Sequence, residues 1–290
     1  MRQPTAVDRP ARGAVRARAS SRALVHVTLS LLAVVVVYPL LWMVFLSLKN
    51  QKEMYTQVWG PPQVVEWLNY PLAWTVGHVG LTLYNTLVLT VASVLLILLL
   101  CYFAAYAQAR ITFPGSSLIM VILVGTMLFP SQVIIIPLYT LEASLRILNT
   151  RLGLILPYVA GGIPFSIFLL TAFLKTIPFE LEESAFVDGA RRGVIIRRII
   201  LPLSRPGLAT IIVFQSFNVW NQYFLPLVLL QSPALQTVTL GLMAFSQQWG
   251  MTDFPRLFAA LTIINMPVIV LYAVFQRQFI SGLTAGALKL

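Results

Sequence analysis

The sequence predicts an all-α, polytopic membrane protein with six transmembrane helices. Two observations support this prediction: the scarcity of charge and the grouping of apolar residues into long runs. Only 10% of the 290 residues are charged and 58% are hydrophobic, whereas a soluble domain carries about 25% charged residues. With a mean hydropathy of +0.84, most of the surface of the folded chain must face lipid.

Six apolar runs are each long enough to cross a bilayer, which takes about 20 residues as a helix. No charged residue lies between Ala23 and Leu48, so the first span is predicted near 24–48. The uncharged stretch 67–109 is too long for one helix, and the Trp, Pro and Gly residues in its first part place the second span after them. Prolines within spans are tolerated because neighbouring helices compensate for the lost hydrogen bonds. The second to sixth spans are predicted near 83–108, 117–140, 152–174, 206–230 and 257–276.

Basic residues are divided unequally between the two sides that six spans define. Fifteen of the 20 Lys and Arg residues lie on the side that carries both termini, and the other five lie on the opposite side. Positively charged loops are retained in the cytoplasm, so both termini are predicted to be cytoplasmic, in a multi-pass protein of the cell (inner or plasma) membrane. The Arg-rich segment 1–22 lacks apolar periodicity and is predicted to be a disordered basic tail, ahead of a transmembrane domain over 23–290.

The sequence argues against several functional classes. The basic residues are scattered between apolar runs and form no single stripe, so no nucleic-acid partner is expected. Cys101 is the one cysteine, which excludes a disulfide framework and a cysteine-based metal site; no metal site is expected. The sequence contains no Gly-x-x-x-x-Gly-Lys-Ser/Thr phosphate loop and no nucleophile–base arrangement within a span. The chain is therefore predicted not to be an enzyme and to hold no cofactor itself.

A polar loop (residues 176–205) separates the fourth and fifth predicted spans. Three glutamates at 180–183 favour the start of a short helix, where the helix dipole is positive. The Asp-Gly pair at 188–189 is predicted to end this helix, because Gly readily adopts the left-handed conformation at a helix terminus. A second helical piece is expected over 190–200, so the loop is predicted to be ordered.

The polar loop contains Glu-Ser-Ala-Phe-Val-Asp-Gly-Ala at 183–190, followed by Leu-Pro-Leu at 201–203. These residues and their spacing resemble the cytoplasmic "EAA" loop of type I ABC importer permeases, in the carbohydrate-uptake type 1 branch that includes the maltose-transporter inner-membrane subunits. The chain departs from the branch at Ser184, where the branch has Ala, and at Ile196, where it commonly has Phe. The resemblance implies the MetI-like permease fold. It also implies that the following residues couple the chain to an ATPase: Glu183, Ala185, Asp188, Gly189, Ala190 and Pro202.

The resemblance further implies the partners of the chain. They are a second, homologous permease subunit, a dimer of ABC ATPase subunits that binds ATP and Mg²⁺, and an extracytoplasmic substrate-binding protein, all assembled at a lipid bilayer. A short helix of the polar loop would sit in a cleft of the ATPase and transmit its closure as a rigid-body movement. The expected function is ATP-driven uptake of a sugar or oligosaccharide.

Two other functions are compatible with a six-span chain. A stand-alone secondary transporter of a neutral polar solute is the main alternative, although such carriers usually place ionisable groups within the membrane to bind the coupling ion. A structural or assembly protein of the membrane is the other, and it predicts no uptake defect on deletion. Uptake that needs ATP and a separate ATPase would distinguish an ABC importer from both.

Uncharged polar residues and one Trp within the spans are candidates for the solute pathway, because amides pair with hydroxyls and sugar rings stack on aromatic faces. For each of them the alternative is a hydrogen bond between helices, worth about 0.6 kcal/mol on average. Spacing by three and four residues places Asn218, Asn221 and Gln222 on one face of a continuous helix. The pathway candidates are Asn85, Gln132, Asn218, Trp220, Asn221 and Gln222.

Overall fold

The computed structural model describes residues 12–130, 132–245 and 252–287, and within these ranges the side chains from residue 24 to residue 278. All regular structure in these ranges is helical, which confirms the predicted all-α class. In chain order the α-helices are α1 (Arg12–Ser47), α2 (Gln51–Thr56), α3 (Asn69–Val76), α4 (Val79–Arg110), α5 (Ser116–Thr126), α6 (Ile135–Ser144), α7 (Arg151–Leu174), α8 (Glu180–Val187), α9 (Arg192–Ile195), α10 (Leu201–Leu203), α11 (Arg205–Trp220), α12 (Phe224–Leu229), α13 (Val238–Gly241) and α14 (Phe254–Ala287).

Four described helices are long and apolar enough to cross a membrane by themselves, and they correspond to the first, second, fourth and sixth predicted spans. A fifth crossing arises if Arg192–Leu203 and Arg205–Trp220, which meet at an angle of 68°, form one broken span. The shorter apolar helix α5 lies in the remaining predicted span. The helices are therefore consistent with six crossings, two of which are broken.

The third predicted span, 117–140, consists of two helices, α5 and α6, with turns between them. Pro130 has no amide hydrogen, and it disfavours the helical conformation of the residue before it. Pro137 is accommodated because it lies in the first turn of α6, where amide groups have no partner within the helix. Proline position thus explains the break.

The fifth predicted span, 206–230, is interrupted between α11 and α12. In a continuous helix the carbonyl oxygen of Gln222 would face the nitrogen of Pro226, which has no hydrogen to donate. This oxygen instead accepts a hydrogen bond from Thr239 Oγ1 at 2.8 Å. The interruption therefore satisfies a carbonyl group that a straight helix would leave without a partner.

Helix α1 begins at Arg12, within the segment 1–22 for which disorder is predicted. The backbone of 12–22 is helical because Ala and Arg, which make up most of it, are strong helix formers and the segment is continuous with the first apolar span. Residues 1–11 lie outside the described part of the chain.

Helices α4 and α7 pack along each other at the centre of the bundle, with α11 and α14 beside them and α1 against α14. One cluster of buried apolar side chains joins the centre of the bundle to the polar loop, because it includes Ile97 of α4 together with Ile177, Ala185 and Ile195. The polar loop is therefore an integral part of the folded domain.

Candidate functional site

Helix α8 of the polar loop is closed by a hydrogen-bonded turn at Gly189. The amide of Gly189 donates to the carbonyl of Phe186 at 3.0 Å, and that of Ala190 donates to the carbonyl of Ala185 at 2.9 Å. With Gly189 at φ +80°, this pair of bonds is a Schellman motif, which requires a left-handed residue at that position. The predicted end of the helix at Asp188-Gly189 is thus present in the structure.

Helix α8 is attached to α4 by a buried carboxylate. The side chain of Glu182 is 1% exposed, and its Oε1 lies 2.7 Å from Arg110 Nε. Its Oε2 accepts a hydrogen bond from the hydroxyl of Tyr106 at 2.7 Å. Arg110 also donates from Nη2 to the carbonyl of Ile177 at 2.7 Å, and its guanidinium lies over the ring of Phe179. The last turn of α4 therefore holds both the start of the polar loop and the first turn of α8.

The opposite face of the polar loop is exposed and apolar as well as charged. Val187, at the end of α8, is 87% exposed, and Phe186 and Val194 are also exposed. The charged residues Glu183 and Arg191 of the same loop are exposed too. An exposed apolar surface rimmed by charge is typical of a protein–protein contact.

The structure divides the predicted coupling residues between these two faces. Ala185 is buried against the bundle and Ala190 is half-buried, so these two support the loop from within. The exposed members of the set are Glu183, Asp188, Gly189 and Pro202. The exposed members are thus available to a partner, and the buried members fix the shape of the loop.

Asn85, a candidate for the solute pathway, is fully buried and its side-chain amide is fully occupied. Its Nδ2 donates to the carbonyls of Ala234 at 2.8 Å and Gln236 at 3.1 Å. Its Oδ1 accepts from Arg151 Nη2 at 2.9 Å. Asn85 therefore holds parts of the bundle together by hydrogen bonds, which is the alternative to lining the solute pathway. No polar group of its side chain remains for a solute.

Gln222 lies beyond the helical face predicted for Asn218, Asn221 and Gln222, because α11 ends at Trp220 with Asn221 as its C-cap. Asn218 and Asn221 are exposed, and Gln222 is half-buried. Asn221 caps α11 by donating from Nδ2 to the carbonyl of Phe217 at 3.0 Å. Gln132 is exposed, in the turns between α5 and α6. The pathway candidates therefore do not share one helix face, although three of them are accessible.

Trp220, the aromatic pathway candidate, is buried and lines a cavity of about 230 Å³ between α4, α11 and α14. The cavity is lined mostly by aliphatic side chains, together with the polar residues Thr90 and Ser216. The indole Nε1 of Trp220 and the hydroxyl of Thr90 are buried without a hydrogen-bond partner. Trp220 thus faces the interior of the bundle, away from the exposed Asn218.

The site depends on three residues that the sequence did not single out for coupling: Glu182, Arg110 and Tyr106. A signal existed, since Tyr106 and Arg110 are spaced by four residues and so lie on one face of α4. Glu182 and Ala185 are likewise neighbours on α8. In the part of the chain that the structure describes, no group of three His, Cys, Asp or Glu residues could hold a metal ion. Tyr106 and Arg110 thus attach α8 to α4 through Glu182.

Comparison with known proteins decides the family. Residues 99–284 match the family model described as the inner membrane component of binding-protein-dependent transport systems. The chain belongs to this family. Its members are ABC importer permeases, so the chain is a membrane-embedded transport subunit and not an enzyme.

The permease resembles curated relatives along almost its whole length. It is 34% identical over 279 residues to the diacetylchitobiose uptake system permease protein NgcG of Streptomyces coelicolor, covering 94% of this chain and 92% of the relative. It is 33% identical over 257 residues to the trehalose transport system permease protein SugB of Mycobacterium tuberculosis, covering 87% and 92% respectively.

The fold of the permease matches a solved structure. A crystal structure of a bacterial ABC transporter involved in the import of the acidic polysaccharide alginate contains a chain that superposes with a TM-score of 0.76. The alignment covers 96% of this permease and all of that chain, at 23% identity. At this identity the match supports the fold, and it confirms the MetI-like permease architecture.

Proposed function

We propose that this permease is one transmembrane subunit of an ATP-driven importer that takes up a sugar or oligosaccharide delivered by an external binding protein. The names of the relatives support a saccharide substrate, since they include systems for diacetylchitobiose, trehalose and arabinooligosaccharides. The exposed amides Asn218 and Asn221 suit a hydroxyl-rich solute. A second permease subunit contributes the other half of the pathway.

The polar loop is the proposed contact with the ATPase. The observation that supports this role is the pairing of two opposite faces on one short helix: Glu182 is buried against α4, while Val187 is almost fully exposed. A helix that is bound to the bundle on one face can transmit a displacement applied to its exposed face, because its position relative to the bundle is fixed. ATP and Mg²⁺ are bound by the ATPase dimer, and this subunit contributes no ligand to them.

The proposed orientation places the polar loop and both termini in the cytoplasm of a cell-membrane protein. The excess of Lys and Arg on that side supports it. The distal loops (residues 49–79 and 231–256) then face the binding protein outside.

The test of the ATPase contact is a charge placed on the exposed apolar surface. Val187→Asp is expected to abolish co-purification of an ATPase with the tagged permease from native membranes, and with it ATP-dependent uptake. Val64→Asp is the matched control, because Val64 is also exposed but lies in a distal loop. Retention of the ATPase by Val187→Asp, or uptake that follows the proton gradient instead of ATP, would overturn the proposal.

A further inference from the structure

Helix α4 is fastened at both ends by buried side-chain hydrogen bonds to other parts of the permease. At one end, the hydroxyl of Tyr106 and the guanidinium of Arg110 hold Glu182 of α8, as described above. These two α4 residues are four apart and so project from the same face. Because the carboxylate is desolvated, its attachment to α4 is strongly directional: any displacement leaves a buried charge without partners.

At the other end, α4 holds a distal segment (residues 233–241), which lies between α12 and the last helix. Asn85 donates to two carbonyl groups of this segment, at 2.8 and 3.1 Å. The neighbouring Thr86 accepts a hydrogen bond on Oγ1 from the amide of Val238 at 3.0 Å. Asn85 is 0% exposed and Thr86 1% exposed, so water does not compete for these bonds. The distal segment is thus fixed to α4 by both donor and acceptor contacts.

The helix between these attachments is not interrupted by proline. α4 contains no proline, whereas α1, α7 and α14 each contain at least one, and proline kinks a helix by removing a backbone hydrogen bond. The alternative route from the polar loop through α10 and α11 bends by 68°. From Asn85 to Arg110, α4 spans about 38 Å at 1.5 Å per residue, which is longer than the hydrocarbon core of a bilayer at about 30 Å.

We propose that α4 transmits the movement of α8 to the distal segment as one rigid body, and that Glu182 and Asn85 are the positioning residues at its two ends. This inference rests on the proposed function, because it assumes that a nucleotide-driven ATPase moves α8. It adds the route of the movement: along α4, by side-chain attachment at both ends, and not through the chain connection at α11.

The experiment is hydrogen–deuterium exchange on the full transporter complex in lipid nanodiscs, without nucleotide and with ATP plus vanadate. In the wild-type complex, nucleotide is expected to change exchange in peptides of both α8 and the distal segment. In Glu182→Gln the α8 response should remain, while the response of the distal segment should fall at least about twofold, the low end of measured coupling effects. Glu180→Gln, an exposed change in the same helix, is the matched control and should respond like wild type.

A second variant tests the end of α4 that holds the distal segment. The proposal therefore stays testable if one of the two variants fails to fold. Asn85→Asp keeps the shape and the Arg151 contact but loses both donors to the distal segment. In this variant too, α8 should respond to nucleotide while the response of the distal segment falls, and basal ATP hydrolysis should be retained. A distal segment that responds normally in both variants, or does not respond in the wild type, would overturn the role of α4. A wild-type complex whose α8 does not respond to nucleotide would instead count against the proposed function.

Discussion

Two adjacent glutamates of α8 have opposite environments, and the sequence alone does not distinguish them. Glu183 matches the family motif and is exposed, whereas Glu182 is buried between Tyr106 and Arg110. Which of the two is buried depends on the rotation of α8 against the bundle. That rotation is set by packing partners distant in sequence, such as Ala185 against the α4–α7 core. The sequence therefore predicted the helix and its terminating turn but not its anchor.

Removal of one partner from this buried pair should be more damaging than removal of both charges. Arg110→Met leaves the carboxylate of Glu182 uncompensated, and we expect a loss of about 3–5 kcal/mol in the free energy of unfolding. Addition of Glu182→Gln should restore much of it. The measurement is the thermal unfolding midpoint in detergent; a double variant no more stable than Arg110→Met would contradict the expectation.

Glu142 in α6, beyond the third predicted span, should make stability depend on pH. Its side chain is 2% exposed and both carboxylate oxygens lack a hydrogen-bond partner. Burial raises the pKa of this carboxyl above its ordinary value of 4.5. A raised pKa means that the folded state holds the proton more tightly than the unfolded state, so stability is lost as pH rises from that ordinary value through the folded-state pKa.

Glu142→Gln should therefore unfold at a higher temperature than the wild type at neutral pH, and at the same temperature near pH 4, below the ordinary pKa. Thermal unfolding across this pH range is the measurement. Equal midpoints at every pH would show that the carboxyl finds partners in the assembled protein.

At the scale of elements, apolar runs predicted the membrane-spanning parts of the four long helices to within a few residues, because length and hydropathy define a span. Breaks within spans were harder to predict. A proline in a membrane helix can kink it or end it, and the choice depends on which group satisfies the freed carbonyl. At Gln222 that group is the hydroxyl of Thr239, seventeen residues later, which no local pattern indicates.

The turn that ends α8 should depend on the backbone conformation of Gly189 and not on the space available for a side chain there. Nothing lies within 4 Å of a Cβ built on Gly189, but its φ is positive. Gly189→Ala should therefore cost about 1–2 kcal/mol of backbone strain and weaken uptake and ATPase retention. Gly193→Ala is the matched control, since Gly193 has the same free space without a positive φ. Equal uptake by the two variants would exclude this role for the turn.

At the scale of the whole molecule, the side of the polar loop can be tested with single cysteines. The native Cys101 is fully buried, so it should contribute little background. Arg191→Cys is expected to react with an impermeant maleimide only after cells are permeabilised, and Val64→Cys, in a distal loop, in intact cells. Labelling of Arg191→Cys from outside would invert the orientation and remove the basis for an ATPase contact.

Helix α1 packs mainly on α14, and only 6% of its most apolar stretch is buried. Helix α1 leaves the ribosome before α14, so it finds its main contact in the described part of the subunit only when α14 has been made. During synthesis α1 must therefore remain in lipid, held there by its hydropathy alone, until α14 inserts. Truncation before α14 would leave α1 without that contact and expose the unfinished polypeptide to membrane proteases.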